Sequence, residues 1–185
     1  YLFHKTLAFG SNVNHIVAGH YKRGNNTLGH FLGTDEKQLV VLRGTSITLY
    51  NSADGTCVPI LTSPLFAVGR CIDCLHLLGF PFELPIPDDY NKDFVVLTSD
   101  SGCLSILEYD TVSHSFSTVF NYKFGETGCL FKTPGQYLRV NPGNNRIVVG
   151  MCCSLPPCVG GLNGDVLVFP VKYALNDDHT SIRFQ

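Results

Sequence analysis

Leu39-Val40-Val41-Leu42, Phe94-Val95-Val96-Leu97 and Ile147-Val148-Val149-Gly150 are three versions of one short apolar run. Val40 to Val95 is 55 residues and Val95 to Val148 is 53, so the run recurs at a near-constant period. β-Branched and aromatic runs of this length are strand material. Recurrence at a fixed spacing makes them copies of one structural unit.

Outward from each run the pattern repeats. A turn follows, then a second strand: Arg43-Gly44-Thr45 with Ile47 to Tyr50, then Ser99-Asp100-Ser101-Gly102 with Leu104 to Tyr109. In the third copy a longer insertion ends in Asn163-Gly164-Asp165, and the strand is Val166 to Phe169. The glycine in each turn supplies the φ > 0 that a tight hairpin needs. A third strand is expected at Cys57 to Leu61, Phe116 to Phe120 and Ser181 to Phe184. A further strand precedes each pair, at His15 to His20, Arg70 to Leu77 and Gln136 to Val140. No stretch of helical length keeps a 3.6-residue apolar period, so the fold class is all-β.

Four antiparallel strands in a unit repeated at roughly 50 residues make a β-propeller blade of the WD40-like kind. The fixed period favours this over a β-sandwich of the same strand count. About three blades are expected in residues 1–185, all of one propeller domain. A closed propeller takes roughly 4–8 blades, and residues 1–9 read as a strand already under way and Thr180 to Gln185 as a strand with no stop signal, so the chain is expected to be part of a longer one. The links Gly79–Asn91 and Met151–Leu162 read as Pro- or Gly-rich surface loops, not domain boundaries.

Composition narrows the function. The chain is 44% hydrophobic and 15% charged, with a formal net charge of -2. No basic excess points to phosphate binding, so RNA is expected to be met only indirectly, through partners. No apolar run reaches the ~18 residues of a membrane span, so no membrane is implied. The eight cysteines have irregular spacing and mostly sit in apolar strand-like segments, where a free thiol behaves as a small hydrophobe. That suits a reducing compartment, cytosol or nucleus.

Few residues suggest chemistry. Cys71-Ile72-Asp73-Cys74-Leu75-His76 invites a zinc site, with Cys152, Cys153 and Cys158 as a second cluster. Residues three apart on a strand face opposite sides, however, so Cys71 and Cys74 are expected to be structural thiols. Thr98 to Gly102 carries Ser and Asp side by side but reads as turn chemistry, not as a nucleophile elbow. The paired acids Asp88-Asp89 and Asp177-Asp178 read as solvated loops, and the scattered histidines as surface groups. A zinc-dependent propeller enzyme using Cys71, Cys74 and His76 stands as the alternative of another class, but no catalytic, cofactor-binding or metal residue is assigned and no enzyme activity is expected. The one candidate contact site is the proline-broken loop from Leu78 to Pro87. Its Leu78, Phe80, Phe82, Leu84 and Ile86 need cover, from their own blade or from a partner.

Two stretches carry a family resemblance. Ser99-Asp100-Ser101-Gly102 running into Ile106-Leu107-Glu108-Tyr109 resembles an "SDSG…ILEY" hairpin. Phe124-Gly125-Glu126-Thr127-Gly128-Cys129, followed by Pro134-Gly135-Gln136-Tyr137-Leu138 and Val140-Asn141-Pro142, is similar to "FGKSGC…PGQFLAVDP". Both belong to the family of very large triple-propeller proteins. Its members are subunit 3 of splicing factor 3b, the large subunit of the cleavage and polyadenylation specificity factor, and the damaged-DNA-binding adaptor of cullin ligases. The splicing member fits these stretches better than its sisters, and the likeness runs in order from Tyr1 to Val149. The loop Met151 to Leu162 and the tail Ala174 to Gln185 depart from the pattern.

The resemblance implies that residues 1–185 belong to the N-terminal propeller of a nuclear, non-catalytic scaffold. It implies as partners the HEAT-repeat subunit and the small subunit of splicing factor 3b, with other proteins of the snRNP that recognises the intron branch site. The sister scaffolds act instead in pre-mRNA 3′-end processing or ubiquitin ligation. It implies no cofactor.

Overall fold

The computed structural model describes residues 15–18, 21–22, 25–26, 30–34, 38–53, 56–77, 92–124, 136–141, 143, 146–152, 164–175 and 182–184. Their regular elements are all strands: β1 (His15–Ala18), β2 (Tyr21–Lys22), β3 (Asn25–Asn26), β4 (Gln38–Arg43), β5 (Ser46–Ala53), β6 (Thr56–Pro64), β7 (Gly69–His76), β8 (Asp93–Ser99), β9 (Cys103–Asp110), β10 (Ser115–Lys123), β11 (Gln136–Val140), β12 (Arg146–Cys152), β13 (Gly164–Pro170), β14 (Tyr173–Leu175) and β15 (Ile182–Phe184).

Two four-stranded antiparallel sheets form in the orders β1-β4-β5-β6 and β7-β8-β9-β10, and a third of order β11-β12-β13. Within each the chain steps outward from an inner strand. The inner strands β1, β7 and β11 meet in succession, β1 against β7 and β7 against β11. Successive sheets side by side with neighbouring inner strands are consecutive propeller blades.

The third unit differs from expectation. Its third strand, read at Ser181 to Phe184, is β15, and it pairs with β14 (Tyr173↔Phe184, Leu175↔Ile182) and not with β13. Pro170 ends β13 and has no N–H to carry that ladder on. The β15 side chains still enter the core: Phe184 meets Phe94 edge-on, with centroids 5.1 Å apart.

The central blade explains why the runs are apolar throughout. One of its faces gives Ile72, Cys74, Val95, Leu97, Leu107 and Tyr109 to a core shared with Val40, Leu42, Ile47 and Leu49 of the first blade. The other gives Leu75, Phe94, Val96, Leu104 and Ile106 to a core shared with Leu138, Ile147 and Val149 of the third. Every residue of β8 is therefore buried, and each blade serves as its neighbour's interior.

Outer strands carry irregularities at matching places. Leu61 pairs with Leu49 and Pro59 with Tyr50, which leaves Ile60 as a bulge. In β10, Thr118 pairs with Leu107 and Phe120 with Ile106, which leaves Val119 as the extra residue. Bulges and prolines on an edge strand hinder pairing with another chain.

Buried polar groups hold connectors in place, and two of them join blades. Gln38 and Asp93 stand two residues before Val40 and Val95, and both are buried. Gln38 Oε1 accepts the Leu32 N–H at 3.1 Å within the first blade, whereas Asp93 Oδ2 of the second blade accepts the His30 N–H of the first at 2.8 Å. Asp73 is buried on the other face of the blade, where its Oδ2 accepts the Val140 N–H at 2.8 Å.

Candidate partner-binding surface

The connector from β6 to β7, Leu65 to Val68, crosses one end of the gap between the first two blades. Gly44, with φ 52°, lets the β4–β5 hairpin turn within two residues. The turned hairpin presents carbonyls to the connector. Leu65 N–H donates to Thr45 O at 2.7 Å, and Gly69 N–H donates to Gly44 O at 2.8 Å. From the other side, Val68 N–H donates to Asp100 Oδ1 at 3.0 Å, and Asp100 N–H returns to Val68 O at 2.9 Å. Four hydrogen bonds thus fix the connector between two hairpin turns.

Phe66 rides on this fixed connector and is fully exposed. It stands at the edge of a cleft of about 200 Å³ between the first two blades. Ile47, Leu97, Leu107 and Phe116 supply the cleft's apolar lining, and Ser63, Ser101, Ser105, Thr118 and Asn121 supply hydroxyls and an amide. Several of these polar groups are held by neighbours: Ser99 Oγ and Ser101 Oγ lie 2.6 Å apart, and Ser105 Oγ donates to Asn121 Oδ1 at 3.0 Å. Among the described residues no Lys, Arg, Asp or Glu lines the cleft.

Between the second and third blades lies a larger apolar cavity of about 490 Å³, lined by Leu104, Ile106, Phe120, Phe169 and Phe184 among others. At the opposite end of the first two blades sits a polar group. His76 Nδ1 lies 2.6 Å from Asp93 Oδ1, and His30 Nδ1 lies 2.7 Å from Thr34 O. The Asp93 carboxylate is wholly buried and spends its second oxygen on His30 N–H. It acts as an inter-blade tie. Arg43 also has a local role: its guanidinium donates to Tyr50 OH and lies 5.7 Å from that ring's centroid.

Cys71 and Cys74 do not converge. Cys71 faces the core shared with the third blade and Cys74 the core shared with the first, as strand alternation requires. Burial pushes the Cys71 thiol above its ordinary value, which keeps it protonated. Among the described residues no three His, Cys, Asp or Glu side chains gather as metal ligands. Cys153 and Cys158 lie outside the described residues.

The Ser99 to Gly102 stretch is a hairpin turn, with Gly102 at φ 73°. Asp100, read from sequence as a turn residue only, is also the buried partner of Val68. The candidate contact loop, with Leu78, Phe80, Phe82, Leu84 and Ile86, lies outside the described residues, as do Asp88-Asp89 and Asp177-Asp178. Phe66 escaped the sequence reading because its neighbours, Pro64-Leu65-Phe66-Ala67, look like any apolar strand end. The hydrogen bonds that fix its backbone come from residues distant in sequence.

Residues 26–155 match the family model described as the RSE1/DDB1/CPSF1 first beta-propeller. The splicing factor 3B subunit 3 of Danio rerio is 30% identical over 152 residues, covering 81% of this chain and 11% of that protein. The pre-mRNA-splicing factor rse1 of Emericella nidulans is 32% identical over 124 residues, covering 66% of this chain and 9% of that protein. The corresponding factor of Debaryomyces hansenii is 34% identical over 126 residues, again 66% of this chain and 9% of the relative. The chain thus spans about a tenth of the length of the relatives it matches.

Proposed function

Because the chain belongs to the RSE1/DDB1/CPSF1 first-β-propeller family, we propose that it is a non-catalytic protein–protein scaffold in pre-mRNA splicing. Residues 1–185 then form part of an N-terminal propeller of a splicing factor 3b complex. Its partners are the HEAT-repeat and small subunits and other proteins of the branch-site snRNP, and its location is the nucleus. The observation that carries this is the set of relatives named as splicing factor 3B subunit 3 or pre-mRNA-splicing factor RSE1, alike along the blades. The geometry agrees with scaffolding. Buried carboxylates are spent on joining blades, and the described residues of the open cleft carry no charge, unlike a phosphate-binding groove.

The test is affinity purification of the intact protein from nuclear extract, with mass spectrometry of what accompanies it. Dominance of the HEAT-repeat splicing subunit and branch-site snRNP proteins supports the reading. Dominance of polyadenylation factors or of a cullin overturns the splicing role and leaves the family.

A further inference from the structure

We propose that the cleft beside Phe66 is a docking site for an uncharged segment of a protein partner, which places one apolar side chain between the first two blades. This deepens the scaffold reading and rests on it. An exposed aromatic on a wandering loop would mean little. Phe66 is instead held in place, because hydrogen bonds at Leu65, Val68 and Gly69 fix the backbone on both sides of it. The ring itself stands fully exposed at the edge of the cleft. Its point of attachment is thus set by two hairpin turns. An exposed aromatic on a fixed backbone is the kind of group that anchors protein interfaces.

The cleft decides what the partner is. At about 200 Å³ it compares with the ~150 Å³ cavity that takes a benzene ring. Its apolar lining suits a single aliphatic or aromatic side chain. Ser63, Ser101, Thr118 and Asn121 offer donors and acceptors to main-chain amides entering beside that side chain. With no cationic side chain among the described lining residues, a nucleic-acid phosphate would find no counter-charge there. A charged peptide side chain would lose its water to uncharged walls. The neutral lining therefore selects a neutral protein segment.

The experiment places a photo-crosslinker at this point, Phe66→p-benzoylphenylalanine, in the intact protein, which is then purified with its associated proteins and irradiated. The expected result is a crosslink to one partner segment without charged residues at the crosslinked position. Thr118 is exposed on the outer strand, so Thr118→Glu puts a charge in the cleft without entering the core. It should lower the crosslink yield at least ~tenfold, whereas Thr118→Ser should leave it unchanged. If the partners co-purify but position 66 crosslinks to nothing, to RNA or to a charged segment, the docking site is wrong and the scaffold stands. Equal yields from Thr118→Glu and Thr118→Ser also overturn it. If no protein partner co-purifies, the scaffold reading fails and the docking site falls with it.

Discussion

Asp73 reaches from the second blade into the third, where its carboxylate Oδ2 accepts the main-chain N–H of Val140 at 2.8 Å. Its other oxygen accepts the Cys74 N–H at 2.9 Å. Truncating the side chain strands two N–H groups at a buried junction. Asp73→Ala is therefore expected to cost about 2–4 kcal/mol, from two lost partners at ~1–3 kcal/mol each with partial rescue by water. Asp73→Asn keeps one acceptor and should cost less. Urea unfolding of the intact protein separates the two, and equal midpoints for wild type and Asp73→Ala would show that the link carries no stability.

Gly69 lies so close to Leu42 that a Cβ built on it overlaps the Leu42 Cδ1 atom. Leu42 is fully buried in the core of the first gap. Gly69→Ala should destabilise by about 1–3 kcal/mol, the usual cost of overpacking. Adding Leu42→Val should recover part of that loss, which a double-mutant cycle reads as a favourable coupling between the two changes.

The Ser113 hydroxyl, followed by the Val112 N–H, holds the Asp110 carboxyl below the usual carboxylate range. Ser113 Oγ donates at 2.7 Å and Val112 N–H at 2.9 Å. With the folded pKa depressed, any stabilisation is present above the unfolded pKa and is lost as pH falls through the folded one. Ser113→Ala should move the Asp110 titration upward. Carboxyl-carbon NMR of the two proteins reads this directly, and an unchanged titration would rule the hydroxyl out as the cause.

Burial raises the Cys71 thiol, whereas Cys57 on the outer strand is half-exposed. A brief iodoacetamide pulse on folded protein should label Cys57 well before Cys71, because the thiolate is the reacting form. In urea the difference should vanish. Labelling of Cys71 at the rate of Cys57 in folded protein would show that this blade face opens readily.

The repeating Val-Val pairs exposed the blades because a strand with a sheet on either side has no polar face to keep, and the central blade is built that way. Sequence could not assign the partner of the last strand. Ile182 to Phe184 reads the same whether it lies beside Val168 or Tyr173, since pairing is a choice among distant segments. The buried polar ties were half legible. Gln38 and Asp93 occupy the same place in the repeat, each a polar residue heading an apolar run, and aligning the copies would have flagged them. His76 meets its carboxylate only through the β7–β8 register, which sets it opposite Asp93. The outward Phe66 had no signal at all, since the backbone that carries it is held by hydrogen bonds from two other hairpins.

The extra residue at Val119 changes what one strand can do. Before it, Phe116 points toward the first blade and meets Tyr109 with centroids 5.7 Å apart. After it, Phe120 and Tyr122 point toward the third, where Tyr122 meets Phe169 at 5.4 Å. One strand is thus a rivet through two seams. A force or a ligand that shifts β10 at either end loads both seams together, so slack introduced at one blade boundary is felt at the next.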